Sequence, residues 1–88
     1  MIIGLVSGTV AAAHKDPTLR GITLLAVQEL DLALAPTGAG FIVADCVGAG
    51  RGDLVIITRG TAALHTEATA GRPVDAAVVA IIDKIDLD

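Results

Sequence analysis

Short segments rich in Val, Ile, Leu and Thr, separated by glycine, proline and acidic residues, constrain the fold of this chain more than any other feature. They predict five strands, at residues 2–10, 22–30, 41–45, 53–59 and 76–85. An open sheet of this size would leave two edges unpaired, and closure into a barrel removes them. The pattern therefore predicts an all-β fold, a small five-stranded, OB-like barrel.

One short helix is expected after the fourth strand. Gly60 and Thr61 can cap a helix, and the two alanines and Leu64 that complete this stretch favour one. We predict about one helical turn, ending near His65.

Loops are predicted where proline, glycine and polar residues gather. Residues 11–21 and 31–40 each contain proline and glycine, which favour turns and disfavour central strands. Residues 67–72 are typical of a polar, mobile loop. No internal repeat and no linker interrupts the pattern, so residues 1–88 are predicted to form a single domain.

The apolar content predicts that this chain contacts copies of itself. Of its 88 residues, 53% are apolar, mostly Ala, Val, Ile and Leu. A barrel built from so short a chain has too small an interior to bury all of them. Large exposed apolar patches usually mark interfaces, so we expect a homo-oligomer.

Charge and composition argue against nucleic acid and membranes as partners. The net charge is −4, the six basic residues are scattered, and Phe41 is the only aromatic residue, whereas nucleic-acid binding requires clustered cations and stacking aromatics. No apolar run approaches the roughly 18 residues of a membrane-spanning helix, and the amino terminus lacks a signal-peptide pattern. The single cysteine, Cys46, cannot form an intramolecular disulfide, which fits a reducing compartment. We therefore expect a cytoplasmic protein.

A glycine-rich segment between the third and fourth strands superficially resembles a phosphate-binding loop. A Walker loop requires Lys followed by Ser or Thr after its last glycine, and a helix behind it; here Asp53 and Leu54 follow, and the next element is a predicted strand. A dinucleotide-binding fingerprint also opens a helix. A structural turn is therefore favoured over a nucleotide site. The segment is Gly48-Ala49-Gly50-Arg51-Gly52-Asp53.

Four acidic residues lie at strand ends or within a strand, namely Asp45, Asp53, Asp75 and Asp83. Two carboxylates could in principle act as an acid–base pair, but no nucleophile, metal or cofactor pattern accompanies them. We expect such carboxylates to cap turns, or to pair with Arg59 or Arg72 at a subunit boundary.

The other residues with chemical potential do not form a recognisable site. Ser7 is the only serine and lacks a nucleophile-elbow context. Cys46 lies in an apolar setting and is expected to be a small buried side chain. His14 and His65 do not form a zinc-binding spacing with it. The sequence predicts no catalytic residue, no metal and no cofactor.

Several motifs together resemble the bacterial microcompartment vertex proteins, the pentameric shell proteins of carboxysomes and of ethanolamine-utilisation and related compartments. The motifs occur in collinear order over nearly the whole chain. Together they are a more specific signature of the family than any single motif would be. They are Ser7-Gly8-Thr9-Val10, Thr18-Leu19-x-Gly21, Asp45-x-Val47-Gly48-Ala49-Gly50, Gly52-Asp53, Arg59-Gly60-Thr61-Ala62-Ala63 and the stretch from Pro73 to Asp83.

The resemblance implies a small β-barrel that assembles into a cyclic homo-pentamer. Such pentamers occupy the vertices of a polyhedral shell whose facets are hexameric shell proteins, and they supply the curvature that flat hexagonal sheets lack. Five subunits around an axis leave a central channel. The glycine-rich segment is expected near that channel or at a subunit contact, and Arg51 or Asp53 could set the charge of the opening. Structural or interface roles are expected for Asp45, Arg59, Asp75 and Asp83.

The chain departs from the family pattern at three places. Leu64 stands where family members often carry arginine, so an ion pair made by that arginine is not expected here. Cys46 replaces another small or polar residue. Family members commonly continue into a further β segment and a basic tail, whereas this sequence ends at Asp88, with acidic residues at Asp86 and Asp88.

Rival functions differ in what they require of the chain. An OB-type module that binds nucleic acid or a small ligand would show salt-dependent binding, which the acidic balance disfavours. A metabolite pore would depend on the glycine-rich segment. An enzyme has no constellation of residues behind it.

Overall fold

The computed structural model describes residues 1–86, and Asp88 of the acidic carboxy terminus lies outside them. Five strands form a closed barrel in the order β1-β2-β3-β5-β4, which confirms the predicted five-stranded all-β barrel. Two short 3₁₀ helices accompany it, at Pro17–Leu19 and Gly60–Leu64. Neither helix within residues 1–86 is long and apolar enough to span a membrane. The strands are β1 (Ile2–Val10), β2 (Thr23–Leu30), β3 (Pro36–Asp45), β4 (Leu54–Arg59) and β5 (Ala76–Ile81).

Most strand bounds match the pattern of apolar residues. β1 has the predicted limits, and β2 and β4 begin one residue later than predicted. β5 ends at Ile81 rather than at residue 85. The Ile82 N–H still donates to the Leu54 carbonyl at 2.7 Å, and the charged residues Asp83 and Lys84 follow it. The predicted helix after β4 is present as the 3₁₀ segment Gly60–Leu64, which buries Ala63.

The β2–β3 hairpin corrects the loop predicted at residues 31–40. β3 begins at Pro36, which is paired with Leu30, so Pro36, Gly38 and Gly40 all lie within a strand. Proline is tolerated here because β5 does not reach this end of β3, so no strand of residues 1–86 needs a backbone N–H from Pro36 on that edge. The true turn is shorter, and the Asp31 carboxylate closes it by accepting the backbone N–H groups of Ala33 and Ala35.

The core lies inside the barrel and is almost entirely aliphatic. β1 pairs with β2 and with β4, so that its alternate side chains face the interior shared by the sheet. The largest fully buried apolar side chains come from all five strands. They are Val6, Leu25, Val43, Val55, Ile57 and Val78.

The barrel is closed by β3 and β5, which pair in parallel. This is the only parallel strand pair within residues 1–86. Only Ala44 with Ala77 and Asp45 with Val78 are in register. Both alanines are buried, and small side chains let the two strands approach without a long ladder. The other strand pairs are antiparallel and longer.

The loop between the first two strands is held by local hydrogen bonds. Asp16 caps the helix Pro17–Leu19 by accepting from the Thr18 backbone N–H and from the Thr18 hydroxyl. These two bonds favour the charged carboxylate and lower the pKa of Asp16 below its ordinary value. The expected polar loop therefore contains an ordered turn.

The polar segment before β5 contains a buried anchor. The Thr69 side chain is fully buried, and its hydroxyl donates to the Ala63 carbonyl and interacts with the Thr66 hydroxyl. The Thr66 hydroxyl also accepts the Thr69 backbone N–H at 3.0 Å. Residues 66–72 thus form ordered turns pinned under the second 3₁₀ helix, in place of an open polar loop.

Replacement of this anchor should destabilise the protein. Thr69→Val keeps the shape of the side chain but leaves the Ala63 carbonyl without its partner, so we expect a loss of about 1–3 kcal/mol in the free energy of unfolding. Urea denaturation measures this change. The control, Thr61→Val at an exposed position, should change it by less than about 0.5 kcal/mol; equal effects of the two variants would contradict the assigned role of Thr69.

Candidate functional site

The glycine-rich segment is a closed turn built on the carboxylate of Asp45. Asp45 ends β3, and its Oδ1 accepts the backbone N–H groups of Val47, Gly48 and Ala49 at 3.1, 3.1 and 3.2 Å. Three donors converging on one oxygen fix the direction in which the chain leaves the strand. Of the two roles expected for this acid, the structure shows the turn cap.

Asp53 closes the other end of the turn. Its Oδ2 accepts the Gly50 N–H at 2.8 Å, and its own N–H donates to the Gly50 carbonyl at 3.0 Å. The Gly52 N–H then donates to the Val6 carbonyl at 2.9 Å, and the Val6 N–H donates to the Asp53 carbonyl at 3.0 Å. The turn therefore extends the β1–β4 ladder, and both predicted turn-capping acids of this segment are found in that role.

The three glycines of the turn differ in what they require. Gly48 and Gly52 have φ angles of 80° and 91°, in the left-handed region that disfavours residues with a Cβ. Gly50 has no positive φ, and a Cβ added there would meet only Asp53 Oδ2, at 4.0 Å. The turn itself needs glycine at positions 48 and 52 but not at position 50.

The remaining members of the segment face in different directions. Ala49 is half-buried and packs against the barrel core, whereas Arg51 is exposed. Among residues 1–86, the guanidinium of Arg51 has no recorded hydrogen bond or ion pair. The turn thus presents backbone and one free cation to the surroundings.

A second group of predicted residues gathers where β4 meets β5. The guanidinium of Arg59 lies 4.9 Å from the centroid of the Phe41 ring, a cation–π contact. The Gly60 N–H donates to the Asp75 carbonyl at 2.8 Å, which brings Asp75 beside the end of β4. The side chains of Asp75 and Asp83 are exposed.

The expected ion pairs do not form within the described chain. The one salt bridge found among residues 1–86 joins Lys84 and Asp86 on the surface, at 3.4 Å. Arg72 instead donates to the carbonyls of Thr18 and Arg20, at 3.0 and 2.7 Å. Pairing of the carboxylates with Arg59 or Arg72 across a subunit boundary stays a prediction.

Cys46 does not behave as the fully buried side chain that its apolar neighbours predict. It is half-buried, its Sγ lies 3.5 Å from the Thr66 hydroxyl, and it lines an open surface cavity of about 490 Å³ beside Val47 and Val79. No sequence pattern predicts this cavity, because its walls come from three distant segments of the chain.

The acids of the glycine turn are used by the fold of the turn itself. Within residues 1–86 no group of three or more His, Cys, Asp and Glu side chains is placed to hold a metal ion. In the same range no buried side-chain N or O atom lacks a hydrogen-bond partner. The acids that the sequence singled out near the glycines bind backbone N–H groups of their own turn.

Comparison with known proteins places the chain in a family. Residues 1–83 match the family model described as ethanolamine utilisation protein EutN/carboxysome. The chain belongs to this family. The carboxysome shell vertex protein CcmL of Synechococcus elongatus is 44% identical over 88 residues, which cover 100% of this chain and 89% of CcmL. The microcompartment shell vertex protein GrpN of Rhodospirillum rubrum is 40% identical over 86 residues, covering 98% of this chain and 97% of GrpN.

Solved structures of EutN/carboxysome family relatives share the fold over the full chain. CcmL of Nostoc sp. PCC 7120 superposes with a TM-score of 0.95 at 46% identity, covering 100% of this chain and 93% of CcmL. GrpN of Rhodospirillum rubrum, described as a pentameric microcompartment shell protein, gives 0.87 at 40% identity, covering 100% and 99%. The predicted resemblance to microcompartment vertex proteins is confirmed.

Loss of the Asp45 carboxylate should open the glycine turn. Asp45→Ala removes one acceptor from three N–H groups, and we expect the free energy of unfolding to fall by about 1–3 kcal/mol. Thermal denaturation with calorimetry measures the change. Asp75→Ala is the matched control, since that side chain is exposed, and a loss as large as that of Asp45→Ala would contradict the role of the turn.

Proposed function

We propose that this protein is a structural shell protein whose pentamers cap the vertices of a polyhedral bacterial microcompartment in the cytoplasm. The observation that carries the proposal is the full-length structural match to GrpN, a pentameric shell protein, at 40% identity. Relatives named as shell vertex proteins of carboxysomes and of other microcompartments match the same residues. The proposed role involves no enzymatic step.

The surface of the single chain supports assembly. A compact monomer of 8.8 kDa exposes about 4,800 Å², whereas this chain exposes 5478 Å². Its exposed apolar side chains include Leu32, Ile42, Val47 and Ile81, whose exposed fractions range from 41% to 65%. The excess, roughly 700 Å², includes apolar surface that contact with a neighbouring copy would cover.

A five-membered ring fits the requirements of a shell vertex. Head-to-tail contacts close into a ring when each interface imposes the right rotation, and a five-fold unit gives a hexagonal layer the curvature that it lacks. The facet partners would be hexameric microcompartment shell proteins. The protein would then act by shape, through two kinds of contact: with its own copies and with those partners.

The glycine turn is the proposed place of close approach around the five-fold axis or between subunits. Gly50 supports this role, because it has no positive φ and a Cβ there would meet only Asp53 Oδ2, at 4.0 Å, so the turn does not need glycine at this position. Arg51 is exposed on the same turn and would bring five positive charges to an axial opening if the turn lines it. The opening would then favour small anionic or polar metabolites.

The oligomeric state tests the vertex role. Native mass spectrometry at micromolar concentration should give a species of five times the 8.8 kDa chain mass, and co-expression with hexameric shell proteins should give closed shells that contain it. A stable monomer that never enters shells would contradict the proposal.

A bulky residue at position 50 tests the turn separately. Gly50→Leu should leave the stability of the barrel within about 0.5 kcal/mol, because the site is open within the chain, but should lower metabolite flux into intact shells or weaken the ring. Gly50→Ala is the smaller matched control. If Gly50→Leu changes neither the metabolite flux nor the pentamer mass, the turn lies neither at the axial opening nor at the subunit interface.

A further inference from the structure

β1 has a backbone edge that the barrel does not use. β4 pairs with β1 from Ile2 to Leu5, and the glycine turn continues that ladder only as far as Val6. Residues 8–10 remain paired with β2 on one side, and Ser7 is the extra residue of a bulge between Val6 and Gly8. On the other side, no strand of the described chain pairs with them. The unused edge begins directly beside the glycine turn.

Gly8 lies on this edge and is not required by the fold of its own chain. It has no positive φ, and a Cβ added there would meet no atom within 4 Å. Gly4 of the same strand is different, since a Cβ there would lie 2.6 Å from Ile57 Cδ1. The glycine at position 4 is thus explained by the barrel core, and the glycine at position 8 is not.

The edge has one of the features that protect solvent-exposed strand edges, a bulge, but it lacks the other common ones. Natural edges are commonly guarded by charged side chains or proline, and residues 7–13 read Ser-Gly-Thr-Val-Ala-Ala-Ala, without charge or proline. A bulge between Val6 and Gly8 bends the strand at the start of the edge. Ser7 and Thr9 are exposed, so the edge is accessible.

We propose that residues 7–10 of β1 form a contact between neighbouring protomers, and that Gly8 is the point where the backbone of a second copy lies against the strand. The inference rests on the proposed pentamer. A head-to-tail ring requires each copy to offer a surface that a different surface of its neighbour covers. Each chain carries a net charge of −4, and an uncharged contact such as this one adds no like-charge repulsion of its own.

Gly8→Val separates this role from a role in the fold. A β-branched residue at an ordinary strand φ reduces the freedom of the unfolded chain, so the melting temperature of the dissociated protomer should stay the same or rise. A side chain that intrudes into a packed contact should raise the protomer dissociation constant by about tenfold to a hundredfold. Native mass spectrometry over a dilution series measures this, and Gly8→Ala should give a smaller shift in the same direction.

The matched control is Gln28→Val, which places the same side chain at an exposed strand position whose two edges are already paired. It should leave the dissociation constant unchanged. A Gly8→Val protein that keeps the wild-type dissociation constant overturns the inference and leaves the vertex role intact. If Gly8→Val forms normal pentamers that no longer enter shells, the edge contacts facet proteins instead of a second copy. That result would also overturn the inference. A monomeric wild-type protein would instead overturn the vertex role on which it rests.

Hydrogen exchange of the wild-type protein gives a second test that needs no variant. The backbone amides of residues 8–10 should exchange more slowly in the assembled protein than after dilution to protomers, because a neighbour covers them. Amides buried in the β2–β3 ladder should show little difference. Equal exchange of residues 8–10 in the two states would overturn the contact, even if Gly8→Val failed to fold.

Discussion

The convergence of three backbone N–H groups on the carboxylate of Asp45 is the interaction on which the rest of the barrel depends. β3 runs beside β5 for only two residues before the chain must cross to β4, which lies on the other side of β5. Asp45 turns the chain at that point, and Asp53 holds its return beside Val6. Without this turn, β4 would not be aligned between β1 and β5, and the barrel would not close.

The same geometry decides what remains available for assembly. The glycine turn ends the β1–β4 ladder at Val6, so beyond it no strand among residues 1–86 pairs with this edge of β1. β5 covers only the last two residues of β3, so the β2–β3 hairpin also projects from the barrel. The chain exposes 5478 Å², more than a compact chain of its mass. The surfaces available for contact in this small barrel are therefore the strand segments that lie beyond the ends of the β1–β4 and β3–β5 ladders.

The barrel was largely predictable from the chain, because branched apolar residues mark four of the five strands clearly. Pro36 misled the prediction of β3, since proline usually ends a strand, and only the three-dimensional arrangement shows that this part of β3 is an edge. At the site, Asp45 and Asp53 were predictable turn caps because their partners are local. The contacts of Arg72 join positions 52 and 54 residues apart, so no local pattern announces them.

The closure of the barrel by its last two strands has a consequence for how the chain folds during synthesis. β1, β2 and β3 form a meander of hairpins, which needs only contacts close in sequence. β4 and β5 arrive later and cover the meander on both sides, since β4 pairs with β1 and β5 pairs with β3. Until β4 and β5 have been synthesised, the outer backbone edges of β1 and β3 in the nascent meander have no partner strand. The two strands synthesised last therefore complete the barrel, and β5 reaches β3 through only two residue pairs.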